Sequence, residues 1–151
     1  MINVQIGTAL LAPVVILLAL AGAKAQSDRF KDIQGTWTGS YDIAFSKNHA
    51  AQPDQTTRNM IEFTVYRQQG NLFWVEKRWR SAAGGDWTTE YAVGAFDLDD
   101  RDDFLIADEG PKGAPLDSIG MAFGEIEDGS LFITYVGLGD AAAYAVELRR
   151  Q

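Results

Sequence analysis

The chain has 151 residues, with 21 Asp and Glu against 13 Lys and Arg, a net charge of −8 and no cysteine. So acidic a chain is repelled by nucleic acid and by anionic membrane surfaces, and without cysteine its stability rests on an apolar core and backbone ladders. One histidine and no thiol also fall short of the nitrogen and sulfur donors of a zinc centre.

Residues 1–25 contain no acid and run through Ala9, Leu10, Leu11, Val14, Val15, Ile16, Leu17, Leu18 and Leu20 to Ala23-Lys24-Ala25. That is the apolar stretch and small-residue cleavage site of a signal peptide, and it implies export to the periplasm or the extracellular space. No Lys or Arg precedes the run and Pro13 interrupts it, which leaves an uncleaved anchor as the alternative. Cleavage after Ala25 leaves one domain, 26–151, with 12 Lys and Arg against 21 Asp and Glu, a net −9, and no membrane partner.

Ser27 or Asp28 is placed to cap a short helix over Ser27 to Gln34. From Thr36 to Phe45, Trp37, Gly39, Tyr41, Ile43 and Phe45 alternate with Thr36, Thr38, Ser40, Asp42 and Ala44, the pattern of a half-buried strand. Ser46 to Thr57 reads as a long loop holding the sole histidine, His49. Strands follow at Arg58 to Arg67, Leu72 to Arg80 and Trp87 to Phe96, joined by Gln68-Gln69-Gly70-Asn71 and by Ser81 to Asp86. After the acidic turn Asp97 to Asp103 come Phe104 to Asp108, a Gly/Pro break at Gly110 to Pro115, and Ser118 to Ile126. In that last strand Gly120, Ala122 and Gly124 share one face, as a tight curve requires. Asp128-Gly129 is a hairpin turn between that strand and Leu131 to Leu138, and Gly139-Asp140 leads to the last strand, Ala141 to Arg150. About eight short strands in meander order predict an all-β fold, a single antiparallel up-and-down barrel, with a β-sandwich as the alternative.

The segment Phe30-Lys31-Asp32-Ile33-Gln34-Gly35-Thr36-Trp37 resembles the opening of the lipocalins and their calycin relatives, where a helical turn leads into a G-x-W on the first strand. That resemblance implies that Arg149 or Arg150, near the end of the last strand, closes the barrel base over Trp37 by a cation–π contact of about 0.5 to 2 kcal/mol. The two ends are also similar to nitrobindin-like haem barrels, whose haem-ligating His has no counterpart around Ala143. Avidins carry an Asn and a Ser after the Trp, where this chain has Gly39. No cofactor is expected.

Two readings of Leu72 to Arg80 stay open. Trp74, Glu76 and Arg78 share one face and would make a paired polar anchor among aromatics if they line the barrel. Phe73, Val75 and Trp79 share the other, and if they face inward Lys77 sits at the rim. Trp37, Tyr41, Phe63, Trp87, Tyr91 and Phe123 lie on apolar faces and serve either a filled core or pocket walls. The candidate ligand-binding set is therefore Trp37, Tyr41, Trp74, Glu76, Arg78 and Tyr91. Asp97 to Asp103 lacks the spacing and the glycine of a calcium loop, since Arg101 stands where a ligand belongs. Glu125 and Glu127 read as solvated. His49, beside Ser46 and Asp54, matches no catalytic signature, so a non-enzymatic role is favoured. The expected function is binding of a small apolar or amphipathic molecule at the open end of the barrel. An interaction or inhibitor domain with a filled core, acting through Ser46 to Thr57 and Gly110 to Leu116, is the alternative.

Overall fold

Period-two alternation between turn residues produces eight strands: β1 (Gly35–Phe45), β2 (Thr56–Gln69), β3 (Leu72–Ser81), β4 (Thr88–Phe96), β5 (Asp103–Pro111), β6 (Gly120–Glu127), β7 (Ser130–Gly137) and β8 (Ala142–Arg150). The computed structural model describes residues 29–46, 56–111, 119–137 and 141–151. The expected leader, His49 with most of the Ser46 to Thr57 loop, and most of the Gly110 to Leu116 loop lie outside the described residues.

Each strand pairs antiparallel with its chain neighbours, and β8 returns to β1, so the sheet closes as a barrel and leaves no open edge. The barrel, not the sandwich, is the fold. Trp37 opposes Phe63 on β2 and Arg150 on β8. The β6–β7 hairpin turns on Asp128 and Gly129, whose φ angles of 49° and 79° give the left-handed pair of a type I′ turn.

One end of the barrel is solid. Phe30 stacks on Phe96 at 5.5 Å, and Phe96, Phe73 and Phe104 pack mutually with ring centroids 5.4 to 5.9 Å apart. Leu131, Leu148 and Ile33 complete this base and are fully buried or nearly so, each contributing roughly 1.5 to 3 kcal/mol of burial free energy. The chain reaches the base through residues 29–34, which form a turn and then extended coil, not the expected helix. The Gln68 side chain explains this, donating to the Lys31 carbonyl at 3.0 Å and accepting from the Ile33 amide at 3.0 Å. A helix would have required those backbone groups for itself.

Two strands turn their small residues inward. A Cβ at Gly94 on β4 or at Gly124 on β6 would run into the ring of Phe73 or Phe104, respectively. The inner wall thus uses glycine and alanine there to seat rings from adjacent strands, and Tyr91 and Val93 of β4 and Phe123 of β6 go outside. Tyr91 and Phe123, expected in the core, are 44% and 59% exposed, and Trp87 is only partly buried. The expectation failed because it weighed each strand alone, while the interior volume is shared across the barrel.

Candidate functional site

Trp37 and Tyr41 are on the inner wall, at different levels. Trp37 belongs to the base: its indole N–H donates to the Ile33 carbonyl at 2.8 Å, and the Arg150 guanidinium lies 4.7 Å from its ring centre. Arg150 also donates to the Asp32 carbonyl at 2.8 Å, tying β8 to the incoming chain. Of the two arginines left open by the sequence, Arg150 closes the base. Arg149 points outward and pairs with Glu147 at 3.0 Å.

Trp74, Glu76, Arg78 and Tyr91 are not brought into the interior, which corrects their expected place on a ligand-facing wall. On the outer surface of β3 and β4, Arg78 pairs with Glu62 at 3.1 Å, Trp74 carries the Arg67 guanidinium 4.4 Å above its ring, and Glu76 opposes Tyr91. Phe73 and Val75, fully buried, set the phase of β3, and the ring of Phe73 has room only over Gly94. The same phase carries Lys77 inside. It is 7% exposed, buried beyond the rim position expected for it.

Lys77 forms the floor of a cup in the other half of the barrel. Its ammonium is paired with Glu90, the residue directly opposite on β4, and with Asp108 on β5. Asp108 opposes Ala92, two residues nearer the base than Glu90, so the two carboxylates grip the ammonium from different depths. Glu90 also accepts the Trp79 indole N–H at 2.8 Å. Above this floor Tyr41 and Tyr144 have ring centres 4.0 Å apart, and Tyr144 stacks on Tyr135 at 4.8 Å. The Tyr135 ring lies 5.1 Å from the Lys77 ammonium.

The cup encloses about 210 Å³ and is lined by Tyr41, Ile43, Phe45, Asn59, Lys77, Trp79, Glu90, Tyr135, Ala142 and Tyr144. Beneath it, between the floor and the base, the residual space is about 10 Å³, too little for a ligand. Among the described residues the barrel is packed solid at the base and holds its larger interior cavity towards the ends of β1, β3, β5 and β7.

The electrostatics follow from burial and pairing. Burial opposes the Lys77 charge, but Tyr144, Asp108 and Glu90, with the hydrogen bond to Asp108, more than reverse it, so the ammonium is held above the ordinary lysine range. Burial likewise raises the Tyr144 phenol, against the pull of Lys77. It also raises Tyr41, against its hydrogen bond with Asn59 and the nearby Lys77 charge. At neutral pH the cup presents neutral phenols and a charged lysine with no lone pair to give. In that protonation state neither the Lys77 ammonium nor a neutral phenol has a free pair or charge with which to act as nucleophile or general base.

Sequence reasoning missed Glu90, Asp108, Tyr144 and Asn59 as site residues. Their signal was parity: Asp108 is in phase with Phe104 and Ile106, and Glu90 with Ala92, Gly94 and Phe96. Charged residues in phase with a core row are buried with it. Elsewhere, Asp97 accepts the Asp99 amide at 2.7 Å, Asp102 pairs with Lys31 at 2.9 Å, and Glu125 and Glu127 are exposed. The chain matches no known protein-family model and no curated protein.

Proposed function

We propose that this chain is an exported, calycin-like binding barrel whose cup takes one small amphipathic molecule. The observation that supports this reading is the division of the interior. A cylinder whose only task is to stand needs no buried Lys77–Glu90–Asp108 cluster, since an apolar filling is as stable or more so. Here that cluster forms the floor of an aromatic-walled cavity of about 210 Å³. The volume lies below the roughly 300 Å³ at which pockets for drug-sized ligands begin, so the occupant is smaller than the hydrophobic cargo of a large carrier. The closed eight-strand antiparallel topology, with Arg150 over Trp37 at the base, is compatible with a calycin-like fold.

Native mass spectrometry of the protein purified from its own source tests this. A retained small molecule that is lost from a Tyr144→Trp variant, whose larger ring fills the cup, is the expected result. A wild-type protein that carries nothing and binds no member of a small-molecule panel refutes the reading.

A second reading, an interaction domain acting through its surface, draws on the outer wall of β4 to β7. Val93, Leu105, Phe123, Phe132 and Val136 are all exposed there, and a contiguous apolar patch of this kind marks contact surfaces. Sedimentation equilibrium separates the readings, because self-association abolished by Phe123→Ser belongs to the second.

A further inference from the structure

The registers of β3 to β7 align two rows of outward-facing side chains across five strands. In the row nearer the base, Leu72 opposes Ala95, Ala95 opposes Leu105, Leu105 opposes Phe123 and Phe123 opposes Thr134. One step towards the cup, Trp74, Val93, Ala107, Met121 and Val136 follow one another in the same way. Thr134 is the one polar residue of the two rows, and Leu72, Val93, Leu105, Phe123 and Val136 are exposed. Apolar residues exposed singly are ordinary, but two adjoining rows spanning about 19 Å of sheet, at about 4.8 Å per strand, form a contiguous patch that marks a contact surface. Two grooves indent it, one of about 620 Å³ beside Leu105, Phe123 and Phe132 and one of about 360 Å³ beside Leu72, Trp74 and Val93, and they meet at Ala95 and Leu105.

Acids border the patch on both sides. At the base, residues 97–103 and 125–129 hold eight Asp and Glu against the single Arg101. Asp97, Asp103 and Glu125 line the larger groove and are exposed, and none of them forms an ion pair among the described residues. The two cations of the incoming chain, Arg29 and Lys31, are engaged by the Leu98 carbonyl and by Asp102. Towards the cup, Glu76 and Glu109 take the next outward positions on β3 and β5. The arginines on that flank are also engaged, Arg78 by Glu62 and Arg67 by the Trp74 ring and Gln69.

These borders select the occupant. A two-fold pair of copies sets the same patch against itself, so an acidic border of one copy meets an acidic border of the other in either orientation, and each chain already carries a net −8. Strand addition is closed off as well, because β8 pairs with β1 and the sheet has no open edge. A partner must therefore lie across the face and be held by side chains. Resting on the reading of the outer wall as a contact surface, and independent of the cup, we infer that β3 to β7 receive an amphipathic segment of another protein, its apolar side on the Leu105–Phe123 groove and its flanking Lys and Arg side chains over Asp97, Asp103 and Glu125. A helix of about 13 residues spans the patch, and an apolar helix face laid into such a groove is an established mode of peptide recognition. The rim acids then set the speed and salt dependence of association, while Phe123 and Leu105 supply most of the affinity.

The test uses three synthetic peptides of equal length on the full chain: an amphipathic Leu/Lys helix, a Leu/Glu helix with the same leucine positions, and a Leu/Lys peptide whose leucines are scrambled off one face. Binding is read by calorimetry, and self-association by sedimentation equilibrium. The patterned Leu/Lys peptide is expected to bind about ten-fold or more tighter than either of the others, equivalent to about 1.4 kcal/mol. Phe123→Ser, a surface change that leaves the core untouched, should remove about ten-fold of that affinity. Asp103→Asn with Glu125→Gln should lower it several-fold and flatten its decline with added salt. Equal binding of the Leu/Glu peptide, or preference for phosphatidylcholine vesicles over the patterned peptides, overturns the basic-segment assignment and leaves the contact surface standing. So does self-association of the chain that Phe123→Ser abolishes. Leu/Lys binding that is indifferent to leucine pattern and to Phe123→Ser overturns it as mere attraction between opposite charges. No binding of either patterned peptide by a chain that stays monomeric and ignores vesicles overturns both.

Discussion

Replacing Lys77 by Met removes the positive charge that, among the described residues, is buried between Glu90 and Asp108. Both carboxylates are buried, at 7% and 5% exposure. Breaking a buried ion pair from one side costs about 3 to 5 kcal/mol, because the partner left behind stays desolvated. Here two partners are left, so the upper part of that range is expected. Against a total of about 5 to 15 kcal/mol for an ordinary domain, this is a third or more of the stability. Urea unfolding followed by tryptophan emission and far-ultraviolet dichroism measures it. The Lys77→Met midpoint should fall sharply at neutral pH. The triple variant Lys77→Met, Glu90→Gln, Asp108→Asn removes all three charges together and should recover most of the loss, since apolar or neutral replacement of a whole buried cluster is near neutral in cost. A single variant within about 1 kcal/mol of wild type, or a triple variant no more stable than the single one, would falsify the assignment of Lys77 as the internal counter-charge.

Alkaline titration should destabilise the fold. Lys77 is raised above its unfolded value, so its stabilisation is complete below the ordinary lysine range and is lost as pH rises from there towards the folded value. Tyr144, raised by burial, must be ionised within the core and acts in the same direction. The two together predict that stability falls as pH rises through and beyond the ordinary lysine range, read from urea midpoints, and a flat profile there contradicts it. Gly124→Ala should cost about 1 to 3 kcal/mol by driving a methyl into the Phe104 ring, and Phe104→Leu in the same chain should recover part of it. Arg150→Ala should cost about 1 to 2 kcal/mol and shift Trp37 emission, through loss of the cation–π contact and the Asp32 hydrogen bond. Arg149→Ala, at the outer surface, should stay within about 0.5 kcal/mol in the same thermal melts.

Strand positions were legible because alternation and turn chemistry are local. Thr36 to Phe45 announced β1, and Asp128-Gly129 the β6–β7 hairpin, without reference to any neighbour. The inner face was legible where one side of a strand is plainly apolar, as in β1 with Trp37 and Tyr41, β2 with Ile61, Phe63 and Val65, and β8 with Tyr144, Val146 and Leu148. It was not legible in β4 and β6, where the inner row is Gly94 or Gly124 with alanine, because the rings that fill those places belong to β3 and β5. In β3 both faces carry two large apolar residues, so its phase depended on which of Phe73 or Trp74 found space inside. Only the closed barrel decides that.

The site escaped the sequence for a related reason, and that reason bears on what it does. Lys77, Glu90 and Asp108 come from three consecutive strands and mean nothing singly; the β3–β4 register sets Lys77 opposite Glu90 and the β4–β5 register brings Asp108 beneath them. Each breaks the rule that charges face water, and all three break it around one ammonium. Accidental violations would scatter along the strands and be removed by selection for stability, whereas a coordinated one has to be offset elsewhere. The solid base supplies the offset. Four phenylalanine rings, Leu131, Leu148 and the Trp37–Arg150 closure fill that half with apolar groups. On the binding reading proposed above, that is how a sequence keeps a charged floor under an aromatic cup: it concentrates the apolar core in the other half of the barrel.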